Sequence, residues 1–330
     1  VSLLFSPLTL RSVTLPNRIA VSPMCQYSAN DDGVPTDWHL VHLGSRASGG
    51  AGLVMAEATA VEARGRISAQ DVGIWNDAQV EAWKPITAFI KSQGSVPGIQ
   101  LAHAGRKAVG DWVPVAPTTE PFPGLNTPEK LTSHSEIVKA FVDGALRAVE
   151  AGFEVLEVHA AHGYLLHEYY SPLTNEGSTE ERIAPSVEVT AAVRAAVGPD
   201  VPVFVRISGT DWVEGGWTAD DSVVLAQALK AAGADLIDVS SGGNTAQADI
   251  PIGPGYQVPL AEAVRRKADV PTGAVGLITD PKQAEQVLTD SSADLVLLGR
   301  ELLRDPYWPL HAAQQLGVEV RAPKQYARAF

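Results

Sequence analysis

Short β-rich runs and helix-like segments alternate along the whole chain, and this alternation limits the fold more than any single motif does. Runs of apolar and β-branched residues fall at 17–24, 51–59, 96–103, 153–159, 201–208, 235–241, 272–276 and 294–299. Between and after them, the spacing predicts helices over 38–48, 77–92, 133–151, 186–196, 219–232, 258–267, 281–288 and 306–315. The third helix shows the pattern well. Ile137, Phe141, Ala145 and Val149 recur every four residues, and Gly152 then ends the helix before a strand begins. Gly49, Gly94, Gly198 and Gly233 punctuate other helices in the same way.

Strict strand–helix alternation implies a parallel sheet covered by helices, because parallel neighbours need a crossover between them. Eight such units in 330 residues close best as a (β/α)8 TIM barrel, one α/β domain over residues 1–330. An open doubly wound sheet is the alternative, but no GxGxxG follows the first strand. Residues 1–16 precede the first strand and are expected to form an N-terminal hairpin plugging the bottom of the barrel. Residues 106–130 are Pro-rich and aperiodic, as expected for a capping insertion after strand three. Residues 317–330 remain as a C-terminal tail.

Charge and cysteine content narrow the function classes. With 25 basic and 38 acidic residues the formal net charge is −13, which argues against nucleic acid as the main partner. The apolar runs are too short for a membrane span, and the N-terminal stretch lacks the basic start and cleavage pattern of a targeting signal. A cytoplasmic protein is expected. Cys25 is the only cysteine, so an intramolecular disulfide, a zinc site with several thiolates and a four-cysteine iron–sulfur cluster are excluded.

Polar residues within the strands point to a ligand. Function in this architecture sits at the C-terminal strand ends. By strand parity Gln100, Arg206 and His159 face inward, opposite purely aliphatic neighbours that should pack on helices. Buried Gln and Arg are costly unless paired. An internal ion pair, Arg206 with Glu157, is one reading; a polar ligand at the barrel mouth is the other. "DVSSGGN" (238–244), "GAVGLIT" (273–279) and "LLGRELL" (297–303) each place glycine at a strand end. Turns after strands seven and eight commonly bind phosphate in this fold, and Arg300 would add a charge-assisted contact. Phosphate at one end and Gln100 with Arg206 in mid-barrel suit flavin mononucleotide (FMN), whose pyrimidine edge and N1/C2=O region they could meet. The stretch "EVHAAHGY" (157–164) ends strand four with two histidines and a tyrosine. Metal ligation, acid/base work, an oxyanion cradle and plain strand capping all remain open there.

The motifs "SPMCQYSA", "QLAHAGRKA", "EVHAAHGYLLHEYYSPLTN" and "LLGRELLRDPYWP" together resemble the old yellow enzyme family, nearest its thermophilic-like (class III) branch of ene-reductases. The likeness runs nearly end to end. It implies a tightly but non-covalently bound FMN contacted by Ser22, Pro23, Met24, Cys25, Ala58, Gln100, Arg206, Gly276, Gly299 and Arg300. It implies substrate contacts from Tyr27, His159 and His162, and Tyr164 as proton donor. The tail "KQYARAF" resembles one whose arginine, here Arg328, reaches a neighbouring subunit's active site, so a homodimer or homotetramer is expected. One departure stands out: after "SPLTN" the chain reads "EGSTEERIAPSVEV", shorter than the family pattern and lacking its Tyr-Gly-Gly.

The resemblance implies an oxidoreductase in which NADPH or NADH reduces the flavin. Flavin N5 then gives hydride to an α,β-unsaturated carbonyl or nitroalkene held by His159 and His162. Two alternatives stand beside it. One is a metal-dependent hydrolase or lyase on the same barrel using His159 and His162; the other is a flavin-binding protein without efficient turnover.

Overall fold

The computed structural model describes residues 2–330. The chain opens with an antiparallel hairpin, β1 (Leu8–Leu10) and β2 (Val13–Leu15). Then come β3 (Ile19–Val21), α1 (Asp37–Ser48), β4 (Leu53–Ala60), α2 (Asp77–Ser92) and β5 (Val96–Ala102). A small strand pair follows, β6 (Val115–Ala116) and β7 (Glu129–Lys130), before α3 (Ser135–Glu150) and β8 (Val155–Ala160). The next elements are α4 (Leu165–Tyr170), α5 (Thr179–Val197), β9 (Val203–Ser208), α6 (Ala219–Ala231) and β10 (Leu236–Ser240). The series ends with α7 (Val258–Ala268), β11 (Thr272–Ala274), α8 (Pro281–Thr289), β12 (Leu295–Leu298), α9 (Arg300–Arg304) and α10 (Trp308–Leu316).

Strands β3, β4, β5, β8, β9, β10, β11 and β12 pair in parallel and in chain order, and β12 returns to β3 to close the barrel. The expected (β/α)8 barrel is therefore the fold, and the open-sheet alternative falls. No helix of the described residues is long and apolar enough to cross a membrane.

Parity separates two apolar layers. Leu156, Val158, Val203, Val205, Ile207, Ile237 and Val239 face outward into the helix-covered core. The alternate residues Leu53, Met55, Val155, Phe204, Leu236 and Leu295 fill the N-terminal half of the barrel interior. Leu15 of the hairpin joins that inner cluster, with Leu8, Leu10 and Val13 packed against it. The hairpin thus plugs the bottom, as expected for the segment ahead of the first barrel strand. Above this plug the inward positions turn polar, and that change of character positions the site.

Two helix expectations need correction. A strict four-residue repeat drifts by about 40° per step on a helix of 3.6 residues per turn. By Val149 the drift has turned the side chain off the buried face: Val149 is 39% exposed, whereas Ala148 is fully buried. Helix α5 starts at Thr179, seven residues before the expected start, and runs through Pro185. Its start is set by a capping box in which Ser178 and Glu181 satisfy each other's backbone amides. Ile183, Pro185 and Ser186 are buried against the barrel, which offsets the hydrogen bond that the proline forgoes. The shortened segment after Asn175 is taken up by this early helix. At the helix ends Gly94, Gly152, Gly198 and Gly233 have positive φ as expected, whereas at Gly49 the left-handed turn falls on Gly50 instead.

Candidate active site

The C-terminal end of β8 gathers the aromatic residues. His159 is the last inward residue of the strand and is 3% exposed. The chain then turns through His162 (φ 62°) and Gly163 (φ 75°), and Tyr164 caps α4. A Cβ at Gly163 would stand 2.2 Å from the Gly243 carbonyl oxygen, so only glycine permits this close packing of two loops. The His159 ring lies 5.3 Å from that of His162 and 5.2 Å from that of Tyr164, both edge-on. The three residues singled out in "EVHAAHGY" thus form one cluster.

Burial first, and then the positive charges of Arg206 and Lys107 among others, hold both imidazoles well below their ordinary pKa. They are neutral at pH 7, each with one N–H to donate. His162 Nε2 shares a 2.7 Å hydrogen bond with Ser240 Oγ, which leaves Nδ1 for an incoming atom. His159 Nδ1 is buried without a partner. Burial, and then neighbouring Cys25 and Tyr27, push the Tyr164 phenol well above its ordinary range, so it keeps its proton. Glu157, the third group that a metal reading would enlist, is tied to Gln100 instead. The described residues hold no group of three or more His, Cys, Asp or Glu side chains placed to share a metal.

The segment after β3 supplies the neighbouring wall. Cys25 sits beside the Tyr27 hydroxyl and the Ala58 backbone. Its packed surroundings, and then Asp71 and Glu57, push the thiol far above its ordinary range, so it stays uncharged. Tyr27 has a positive φ of 51° and is half exposed; burial of its hydroxyl, then Cys25, raises it to about 12. Ser22 accepts a hydrogen bond from the Arg206 guanidinium at 2.8 Å. Pro23 and Met24 follow it, and the Met24 sulfur lies beside Gly299.

In mid-barrel, Gln100, Glu157, Arg206 and Asp238 stand on neighbouring strands. Gln100 donates to Glu157 Oε1 at 2.9 Å. The ion-pair reading of Arg206 with Glu157 is corrected in its partner: Arg206 Nε lies 2.7 Å from Asp238 Oδ2. The register explains this, since Asp238 pairs directly with Arg206 between β9 and β10, whereas Glu157 is opposite Phe204. That contact is close but poorly aligned, and Arg206 Nε, both Asp238 oxygens and Glu157 Oε2 lack an aligned hydrogen bond. Burial first, and then Asp238, push Glu157 well above the usual carboxylate range. Burial also raises Asp238, against the pull of Arg206. Both carboxyls are thus held above the usual range while facing one guanidinium.

The glycine turns form the other end. Gly276 has φ 121°, and a Cβ there would stand 2.7 Å from Gln257 Nε2 and 3.0 Å from the Tyr256 ring. Gly299 meets only Met24 at van der Waals distance, leaving open backbone. Arg300, exposed at the start of α9, lies close enough to Tyr256 to act on its hydroxyl. Glycine turns and the exposed Arg300 guanidinium suit a phosphate, and the mid-barrel polar groups without an aligned hydrogen bond suit a polar ring. The residues present therefore fit FMN.

Two contributors were not singled out in the sequence. Lys107, in the capping insertion, donates to the carbonyls of His162 (2.8 Å) and Gly243 (2.9 Å), with its ammonium 5.0 Å from the Tyr164 ring centre. Burial lowers it to about 8. Arg106 binds the Asn244 carbonyl at 2.8 Å, and Phe122 covers both cations. The insertion thus caps the mouth as expected, through contacts that its lack of periodicity concealed. Arg328 stands apart on the exposed tail, whose Tyr326 and Phe330 rings pack against Tyr307 and His311 of the same chain.

Known proteins agree with this geometry. Residues 3–319 match the profile of the NADH:flavin oxidoreductase / NADH oxidase family. An NADPH dehydrogenase of Geobacillus sp. (strain WCH70) is 48% identical over 339 aligned residues, covering 100% of this chain and 99% of that protein. Morphinone reductase superposes with a TM-score of 0.82 at 28% identity, over 98% of this chain and 92% of that one. The old yellow enzyme homologue from Zymomonas mobilis gives 0.81 at 26% identity, over 96% and 94%. The chain belongs to the NADH:flavin oxidoreductase / NADH oxidase family, that of the old yellow enzymes, and is an FMN-dependent oxidoreductase that draws on a reduced nicotinamide.

Proposed function

We propose that the chain uses NADPH, or NADH, to reduce activated C=C bonds in α,β-unsaturated carbonyls and nitroalkenes. The observation that carries this reading is the triad of His159, His162 and Tyr164 at one strand end, every member neutral and holding a proton. In this reading Ser22, Pro23, Met24, Cys25, Ala58, Gln100 and Arg206 hold the flavin ring, and Gly276, Gly299 and Arg300 its phosphate. Bound there, FMN supplies the hydride carrier between the nicotinamide and the β-carbon of the alkene.

The chain's own residues do the rest. Neutral imidazole N–H groups of His159 and His162 donate to the substrate oxygen, where enolate charge develops as hydride arrives. Being uncharged beforehand, they leave the substrate oxygen to be stabilised by hydrogen bonds rather than by a full cation. Tyr164 delivers the proton to the α-carbon. Its raised pKa keeps it protonated across the working range, and Tyr27 lines the substrate's entry. The uncharged Cys25 thiol would meet the ring of a bound flavin as a weak donor. A cytoplasmic site of action fits a chain with a single cysteine. Arg328 serves the active site of a neighbouring copy in a homodimer or homotetramer.

Tyr164→Phe tests the reading in stopped flow. Reduction of the bound flavin by NADPH should stay within about twofold. Its reoxidation by 2-cyclohexenone should slow by ~10²–10⁴-fold, the usual worth of a positioned acid. If both half-reactions are unchanged, Tyr164 is not the acid.

A further inference from the structure

The turn bearing His162 and Tyr164 needs support, because His162 holds a left-handed backbone next to left-handed Gly163. Three hydrogen bonds supply it. The His162 amide donates to Ser208 Oγ at 2.9 Å, and Lys107 donates to the His162 carbonyl at 2.8 Å. The third comes from the Gly163 amide, which lies between the two side chains; it donates to His167 Nδ1 at 2.8 Å. A ring nitrogen that accepts carries no proton, so the network assigns the His167 proton to Nε2. Nε2 lies 2.8 Å from Asp211 Oδ1. The other Asp211 oxygen accepts from Ser171 Oγ at 2.6 Å and from the Trp217 amide at 2.8 Å. Both side chains are wholly buried, and the His167 ring stacks on Tyr170 at 4.8 Å. His167 and Asp211 lie outside the roles assigned above.

We infer that Asp211 and His167 are positioning residues for the alkene-reducing step. Asp211 keeps the proton on His167 Nε2, which leaves Nδ1 open to the Gly163 amide and holds Tyr164 over the barrel mouth. This rests on Tyr164 being the proton donor. Burial would raise the Asp211 carboxyl, but the His167, Ser171 and Trp217 contacts outweigh it and hold it below the usual range. It is therefore an acceptor on both oxygens. An asparagine has only one acceptor oxygen. If that oxygen faces Ser171 and Trp217, the amide –NH₂ meets Nε2 and drives the ring proton to Nδ1, against the Gly163 N–H. If it faces His167, the –NH₂ meets the Trp217 amide. Either orientation places two donors face to face.

A double-mutant cycle on FMN-loaded protein separates positioning from general stability. Asp211→Asn should slow flavin reoxidation by 2-cyclohexenone ~10-fold or more in the parent, since small misplacement of a reacting group is costly. In the Tyr164→Phe background the same change should cost less than about twofold, because the group being positioned is gone. Equal slowing in both backgrounds overturns the inference while leaving Tyr164 as the acid. A Tyr164→Phe enzyme as fast as the parent instead sinks the proton-donor reading, and the inference with it. Should Asp211→Asn not fold, ¹⁵N-histidine NMR of the parent holoenzyme decides, with His167→Gln assigning the signals. An unprotonated Nδ1 and a protonated Nε2 are expected, and a proton on Nδ1 overturns the inference.

Discussion

Parity along single strands made Gln100, His159 and Arg206 legible as inward residues, because strand alternation depends only on local geometry. Their partners were not legible in the same way. Asp238 meets Arg206 through the register between two strands, and register is a property of the closed barrel. The signal was present nonetheless: Leu236, Asp238 and Ser240 alternate with Ile237 and Val239 as clearly as the residues of the preceding strand do. Lys107 ends a single 3-10 turn (Gly105–Lys107) and Asp211 lies on a loop, and neither is long enough or regular enough for a period to reveal direction. The mid-barrel pair also yields a prediction. Arg206 faces the carboxyls of both Asp238 and Glu157, each raised by burial and pulled down by the guanidinium, so either can serve as its counter-ion. Asp238→Asn alone should cost about 1–3 kcal/mol, less than a broken buried ion pair usually does, because Glu157 can ionise in its place. Glu157→Gln should be milder still. The double variant leaves Arg206 without a counter-ion and should exceed the sum of the singles by at least ~1 kcal/mol. Urea unfolding of the flavin-free proteins reads this directly; additive losses would mean that the two carboxyls do not substitute for one another.

At the level of elements, all eight barrel strands and their helices were legible, because breakers and periodicity both act locally. The errors had physical causes: angular drift on α3, and a proline in α5 whose breaking effect is outweighed by a cap and by burial. The contact between the capping insertion and α4 is a case that periodicity could not reveal. Glu168 of α4 accepts from the Arg106 amide at 2.9 Å, and its second oxygen is buried without a partner. Burial raises this carboxyl to about 8, although Arg106 and Lys107 pull it down. The folded value lies above the ordinary 4.5, so between these limits the folded state holds a proton that the unfolded chain has released. This stabilising contribution is complete below the lower value and is lost as pH rises through the upper one. Glu168→Gln keeps the shape and removes the titration. Thermal unfolding of parent and variant from about pH 6 to 9 should show the parent falling relative to the variant. Parallel curves would show that Glu168 does not titrate in that window.

The whole barrel follows from eightfold alternation, but assembly does not, because the sequence pattern records what packs within a chain and not what packs between chains. Within one chain the tail rests on α10 and carries Arg328 exposed, apart from the His159–Tyr164 cluster. If Arg328 completes a neighbour's site, activity must depend on association. Each chain carries a net charge of −13, so copies repel one another at low ionic strength. Screening weakens that repulsion beyond about 8 Å at physiological salt. Association should therefore strengthen, and KM for the alkene should fall, between ~10 and ~150 mM salt at fixed protein concentration. Arg328→Ala should raise KM for the alkene several-fold while NADPH still reduces the flavin at the parent rate, because the change removes a substrate contact and leaves the flavin site intact. Sedimentation velocity run beside these assays gives the species present. A sedimenting mass of 34.8 kDa with full activity at every salt concentration would take Arg328 out of the active site.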